Sequence, residues 1–89
     1  MGKVSCFNID GIYCWFNSQE HRPAHFHAEK SGHWHVRVYF QEAKNKMIER
    51  AKGPRKRMSS ADTDDLKNMA QRYRAELLRE WEKKVICNA

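Results

Sequence analysis

Five histidines lie close together in the first half of the chain. They fall within residues 21–35, at His21, His25, His27, His33 and His35. Imidazole titrates near neutral pH, so it can act as a general acid or base, and in its neutral form it ligates transition metals. Histidines two positions apart on a strand project from the same face of a sheet. The spacing therefore predicts one sheet face that carries several imidazoles.

Three interpretations of this face are open. As metal ligands, His25, His27 and His35 would leave an open position on an ion such as zinc. As catalytic residues, the same imidazoles would transfer protons during RNA cleavage while Arg37 stabilises phosphate charge. As a polar face for structure or binding they need no cofactor, and we expect this third case rather than an enzyme or a metalloprotein.

The positive charge of the chain is concentrated in one segment. The formal net charge is +6, and basic and acidic residues balance within residues 1–43 and again within residues 58–89. The excess lies in residues 44–57, where Glu49 is the only acidic residue. Such a segment predicts contact with nucleic acid or with an acidic protein partner, although a solvated connector has the same composition. The basic residues are Lys44, Lys46, Arg50, Lys52, Arg55, Lys56 and Arg57.

The first hairpin is indicated by Asp10-Gly11, a strong two-residue turn signal. The turn separates two runs, residues 4–9 and 12–17, that are rich in β-branched and aromatic residues. A two-residue turn also fixes the pairing of the strands that it joins. The predicted pairs are Ile9 with Ile12 and Phe7 with Cys14.

A second hairpin is predicted from residues 24–29 and 33–40, joined around Lys30-Ser31-Gly32. The register that places His27 opposite His35 and Phe26 opposite Val36 separates the apolar residues from the polar ones. The histidines then lie on the face that points away from the helix. The apolar face would hold Phe26, Ala28, Trp34, Val36, Val38 and Phe40.

The second half of the chain is predicted to be helical. Ser59 or Ser60 would cap the helix, and the acidic residues that follow suit the positive end of the helix dipole. Apolar residues recur at helical spacing from Leu66 to Val85. This pattern fits one helix of about 25 residues, or two helices with a break near residues 71–74.

These elements predict a single α+β domain over residues 1–89. We expect a small antiparallel β-sheet of about four strands packed by a long C-terminal helix. Residues 41–52 are ambiguous, because their composition favours a helix while Met47-Ile48 could form an edge strand. The expected divisions are a sheet over residues 3–40, a basic connector over 41–58 and a helix over 60–86.

Length and composition narrow the possible classes of protein further. A chain of 89 residues fits one domain. The three cysteines are odd in number and form no Cys-x-x-Cys motif, so neither a disulfide framework nor a zinc ribbon is indicated. No apolar run is long enough for a membrane span or a signal peptide, and we expect a cytoplasmic protein with no membrane partner. Tyr13 and Trp15 offer a homodimer face as an alternative assembly.

Several of these residues also carry a family resemblance. His21-Arg-Pro-Ala-His-Phe-His-Ala-Glu29 resembles the His-x-Pro-Pro-His-Phe-His-x-Glu signature of a small bacterial family, domain of unknown function four-one-six-zero. Members of that family begin with an aromatic-rich hairpin, here residues 4–17. They end with a helix that carries a pattern similar to Leu77-Leu78-Arg-Glu-Trp81. The resemblance extends over roughly residues 1–83.

The resemblance implies a biological setting rather than an established chemistry. Genes of this family often lie beside another small domain, which resembles the arrangement of toxin–antitoxin pairs. We therefore expect a regulatory binding protein of bacteria or phages that contacts nucleic acid or an acidic protein. The alternatives are a His-based ribonuclease-like toxin and a phage-borne inhibitor of a host nuclease or defence complex. The chain departs from the family pattern at Ala24, which replaces the second proline, and in its basic segment.

Overall fold

The computed structural model describes residues 2–17 and 22–86, apart from the side chains of Lys52, Pro54, Arg55 and Ile86. Its architecture is α+β, as the sequence predicted, with five strands rather than four. A 3₁₀ turn, Lys44–Lys46, precedes the fifth strand, and a π-helical turn, Glu82–Ile86, ends the described chain. The strands and helices are β1 (Gly2–Lys3), β2 (Tyr13–Phe16), β3 (Phe26–Lys30), β4 (Trp34–Val38), β5 (Ile48–Arg55), α1 (Ser60–Arg72) and α2 (Arg74–Trp81).

The sheet has the strand order β1-β2-β3-β4-β5, and all neighbouring strands are antiparallel. The fifth strand comes from the segment that was expected to be a basic connector. Its pairing with β4 shifts between Trp34 and Val36, which marks a bulge. Gly53 lies in this irregular part with a φ of 130°, a conformation that a residue with a β-carbon adopts only under strain. The basic segment pairs with β4 on both sides of this bulge.

The register of β3 on β4 differs by two residues from the prediction. Phe26 lies opposite Val38, and Ala28 lies opposite Val36. Because side chains alternate with a period of two, a shift by two residues leaves every side chain on its expected face. The predicted apolar face is therefore confirmed. Its residues Phe26, Ala28, Trp34, Val36, Val38 and Phe40 are all buried.

The turn between β3 and β4 explains the shift. It spans Lys30 to His33, and the His33 N–H donates to the Lys30 carbonyl at 2.9 Å. Gly32 at the third position has a φ of 75°, which is the type II arrangement. Lys30 therefore remains in the strand and points to the helix side. There its Nζ lies 3.2 Å from Asp62 Oδ2 in the first turn of α1.

The N-terminal segment is not the regular strand that was predicted. The bridge between Ile9 and Ile12 is confirmed, but β1 contains only two residues and Phe7 does not pair with Cys14. Val4 and Phe7 are both buried although they are three positions apart, which a regular strand cannot achieve on one face. The chain must therefore leave the strand conformation between them.

Glu80 of α2 accepts hydrogen bonds from the backbone of this irregular segment. The Ser5 and Cys6 N–H groups donate to its carboxylate at 2.8 and 3.0 Å. Lys84 Nζ lies 2.6 Å from Glu80 Oε1 and also donates to the Lys3 carbonyl. Burial alone would raise the pKa of Glu80, but hydrogen bonds from Lys84, Cys6 and Ser5 outweigh it and hold the pKa below the usual value. Burial and the Glu80 carboxylate raise the pKa of the Cys6 thiol to about 12.

The helices cover the apolar face of the sheet. The Ser59 hydroxyl accepts from the Asp62 N–H at 3.1 Å, which confirms the predicted cap. The helical region is divided at Tyr73, so the interpretation with a break near residues 71–74 is the correct one. Trp81 of α2 packs edge-on against Phe16 of β2, with ring centroids 6.3 Å apart. Within the described ranges, no helix has the length and apolar character needed to cross a membrane.

Glu80→Gln is expected to lower the free energy of unfolding by about 1–3 kcal/mol at neutral pH, because the amide loses charge-assisted hydrogen bonds. The folded-state pKa of Glu80 lies below its unfolded value. The stabilisation by the carboxylate is therefore complete above the unfolded pKa and is lost as the pH falls through the folded pKa. The difference between the two proteins should shrink on acidification, as measured by urea unfolding at about pH 7 and pH 3.

The matched control is Glu82→Gln, because Glu82 is an exposed carboxylate on the same helical segment. This variant should change the unfolding free energy by no more than about 0.5 kcal/mol. Equal destabilisation by Glu80→Gln at both pH values would contradict the role assigned to its ionised form.

Candidate functional site: the outer face of the sheet

The sheet face opposite the apolar core carries the candidate chemistry. The sheet pairing places Trp15 opposite His27, His27 opposite Arg37, and Arg37 opposite Glu49. A second row places Tyr13 opposite Glu29, which lies opposite His35. Directly paired residues lie on the same face, so the two rows form one surface. We call it the outer face and define it by Lys3, Tyr13, Trp15, His27, Glu29, His35, Arg37 and Glu49.

Aromatic rings are stacked at the centre of the outer face. The Trp15 indole lies over the His27 imidazole with centroids 5.2 Å apart and 19° between the planes, and it also contacts His35 at 5.2 Å. Tyr13 stacks on Trp15 at 5.3 Å and 22°. Tyr13 is 48% exposed, whereas His27 is 4% exposed. The stack is therefore buried at its histidine end and open to solvent at Tyr13.

A chain of hydrogen bonds fixes the rings in this stack. Trp15 Nε1 lies 3.1 Å from Asn17 Oδ1, and Asn17 Nδ2 lies 3.2 Å from His27 Nε2. His27 Nδ1 lies 2.9 Å from His35 Nε2. The indole nitrogen can only donate, so Asn17 Oδ1 must accept. The amide nitrogen then donates to His27 Nε2, and His27 Nδ1–H donates to His35.

The direction of these hydrogen bonds defines the tautomer of both imidazoles. In this arrangement each Nε2 accepts a hydrogen bond, so the ring proton of His27 and of His35 lies on Nδ1. A general base needs an accepting nitrogen directed at the substrate. In this arrangement both Nε2 atoms are already engaged within the protein. The geometry thus offers no support for their use as catalytic bases.

His25 lies at the margin of the sheet rather than beside His35. A carbonyl only accepts, so the contact of 2.9 Å between His25 Nδ1 and the Pro23 carbonyl makes Nδ1 the donor. The imidazole packs against Trp81 at 5.5 Å and Tyr39 at 5.0 Å, and it is 4% exposed. The expectation that the histidines point away from the helix is therefore wrong for His25, which packs against Trp81 of α2. His27 does lie on the expected face, where Trp15 covers it.

The metal interpretation finds no ligand set among the described residues. Across residues 2–17 and 22–86, no three His, Cys, Asp or Glu side chains are arranged to hold an ion. The nitrogens of His27 and His35 are directed at each other, as in a hydrogen bond, rather than at a common point. His21 lies outside the described residues.

Arg37 and part of the basic segment flank the ring stack. Arg37 Nη1 lies 3.0 Å from Glu49 Oε1, and the arginine side chain is 33% exposed. The Lys56 N–H donates to the His33 carbonyl at 2.7 Å, and Arg50 Nη1 donates to the Lys56 carbonyl at 3.3 Å. The basic segment therefore runs along β4, the strand that carries His35.

The other basic candidates are distributed differently. Lys44 Nζ donates to Asn68 Oδ1 at 2.9 Å, so this residue lies on the helix side. Lys46 and Arg57 are exposed. Lys52 and Arg55 belong to β5, and their side chains lie outside those described. The structure thus places Arg50 and Lys56 beside β4 and separates Lys44 from them.

Sequence reasoning missed Asn17 and gave Trp15 only an assembly role. The two residues are two positions apart, which places them on the same face of a strand. The spacing could have indicated this contact, because an indole N–H and an amide oxygen on the same strand face can form a hydrogen bond. Their link to His27 also needs the pairing of β2 with β3, which the local pattern does not determine.

Long-range ¹H–¹⁵N correlation spectra near pH 8 should show His27 and His35 as Nδ1–H tautomers. Asn17→Asp is expected to reverse the chain, because a carboxylate only accepts. His27 must then donate from Nε2, and its Nδ1 accepts from His35 Nε2–H. Both imidazoles should therefore become Nε2–H tautomers in the variant.

Asn68→Asp, a corresponding change on exposed α1, serves as the control and should leave both tautomers unchanged. An Nε2–H tautomer of His27 in the unmodified protein would contradict the assigned direction of the chain.

Comparison with known proteins identifies the family of this chain. The family model described as "Domain of unknown function (DUF4160)" matches residues 11–82, from the first hairpin turn to just beyond α2. The match includes the ring stack, its hydrogen-bond chain and the whole basic segment. No curated protein and no solved structure matches the chain. The match covers most of the sequence, and the chain accordingly belongs to the DUF4160 family of domains of unknown function.

Proposed function

We propose that the protein binds single-stranded nucleic acid through the outer face, as a small regulatory protein of bacteria or phages of toxin–antitoxin type. The observation that carries this proposal is the stack of Tyr13 on Trp15, which ends in a half-exposed ring on a sheet face away from the helices. Sheets that bind single strands stack bases on aromatic side chains in this way.

The rigidity of the stack supports the proposal. The Trp15 ring contacts the His27 and His35 rings, and its indole nitrogen donates to Asn17. A ring that is already ordered loses little conformational entropy when a base stacks on the surface. Base stacking on an aromatic side chain contributes about 1–3 kcal/mol per base. Tyr13 offers the exposed ring to which this energy applies.

The charge distribution also supports the proposal. The positive excess lies in residues 44–57, and part of this segment follows β4 beside the outer face. The only acidic residue of the segment, Glu49, is paired with Arg37. Exposed Lys56 and Arg57 can therefore contact phosphates without an acidic neighbour from the same segment.

The dimensions of the face set the length of the bound strand. β3 and β4 have five residues each, which corresponds to about 17 Å of strand. Four-stranded RNA-binding sheets of similar size stack two or three bases. We therefore propose that two or three nucleotides lie across the face.

An acidic protein that adds a strand to the sheet fits the edges less well. β5 is irregular and contains Pro54, and both features oppose strand addition. β1, at the other edge, has two residues. The open face and not an edge is therefore the surface to which we assign the partner.

Tyr13→Ala should weaken the binding of a fluorescently labelled single-stranded RNA hexamer by roughly 5- to 100-fold, because one stacking platform is lost. Tyr13→Phe is the matched control and should bind as the unmodified protein does, since the ring is retained. Fluorescence anisotropy at low salt measures both, and thermal unfolding followed by circular dichroism checks that each variant folds.

Binding should also weaken steeply as salt is raised, with a slope that grows with the number of phosphate contacts. No binding of RNA or DNA hexamers at low salt would overturn the proposal and favour an acidic protein partner. Equal binding by Tyr13→Ala and the unmodified protein would show that the ring stack is not the contact surface.

A further inference from the structure

A cavity opens beside the exposed end of the ring stack. It has a volume of about 310 Å³ and is lined by the first hairpin and by residues of the outer face, among them Lys3, Asn8, Asp10, Tyr13 and Glu29. Small-molecule sites occupy roughly 300–1,000 Å³, so this cavity is large enough for a single nucleoside. Its location places one wall at the ring that we assign to base stacking.

We propose that this cavity holds one base of the bound strand and selects guanine through Glu29. The inference rests on the proposed function and adds its sequence preference. Tyr13 would stack on the base, and the Glu29 carboxylate would accept hydrogen bonds from its edge.

The sheet register brings the two residues together. Tyr13 lies directly opposite Glu29, so their β-carbons are about 4.5–5.5 Å apart on the same face. A base stacked on the Tyr13 ring therefore has its edge within reach of the Glu29 side chain. Lys3 belongs to the neighbouring strand and lines the same cavity, where its ammonium can contact the phosphate.

The Glu29 carboxylate is available for this contact. Among the residues that the structure describes, no ion pair or hydrogen bond occupies it. The other carboxylate of the outer face, on Glu49, is engaged by Arg37 at 3.0 Å. Glu29 and Glu49 thus differ in whether the carboxylate is available to accept from a base, and Glu49 provides the control.

The chemistry of a carboxylate selects one base. An ionised carboxylate has two accepting oxygens and no donor. Guanine presents two adjacent donors on its Watson–Crick edge, N1–H and N2–H. Cytosine and adenine place an acceptor beside their amino group, and uracil places its single N–H between two carbonyls. A carboxylate can make two parallel hydrogen bonds only with guanine, and it meets a repelling lone pair on the other three bases.

The test uses single-stranded RNA hexamers that differ at one central position. The probes are a uridine hexamer and hexamers with one guanosine, adenosine or cytidine at that position. The guanosine probe should bind the unmodified protein at least roughly tenfold more tightly than the other three, since one bidentate pair has that effect. Glu29→Gln should abolish the guanosine preference, because an amide can pair with the adjacent donor and acceptor that all four bases present. Glu49→Gln should retain the guanosine preference.

The outcomes separate this inference from the proposed function. Equal binding of all four probes would overturn guanine selection and leave the stacking function in place. A uniform gain in affinity for all probes in Glu29→Gln would also overturn it, because Glu29 would then only repel phosphate. If none of the probes binds at low salt, the proposed function and the inference both fail. The four-probe comparison on the unmodified protein is decisive even if Glu29→Gln does not fold.

Discussion

The pairing of β3 with β4 is the constraint on which both faces of this protein depend. It places Ala28 opposite Val36 toward the helices and His27 opposite Arg37 away from them. Because β3 also pairs with β2, the same strand brings Trp15 over His27. A slip by one residue would expose the core and bury the charged row. The buried core and the ring stack are thus two results of one register.

Much of the fold was predictable because alternation and turn signals are local. The two-residue period of β3 and β4 determines which side chains share a face, and Ser59 is recognisable as a helix cap. Alternation does not distinguish registers that differ by two residues, so the turn at Gly32 decided the pairing. The irregular N-terminal segment was not predictable, since its backbone is bound by Glu80, 75 positions from Ser5.

The candidate site was predicted by residue type but not by arrangement. Clustered histidines indicated one face, and His27 and His35 do lie together. Their burial follows from Trp15, which comes from another hairpin, and their protonation follows from Asn17. Neither contact is visible without the pairing of β2 and β3. The basic segment was likewise recognised by charge, whereas its place beside β4 follows from the pairing of β4 with β5.

The central claim is that the outer face is the surface that binds nucleic acid, and the three tryptophans of the chain allow a direct measurement. Trp15 lies on that face, whereas Trp34 and Trp81 are buried in the core. In a ¹H–¹⁵N correlation spectrum recorded during titration with a single-stranded RNA hexamer, the account predicts that the Trp15 indole signal shifts while the other two remain in place. Shifts confined to the exposed residues of α1 and α2, with an unmoved Trp15 signal, would contradict it.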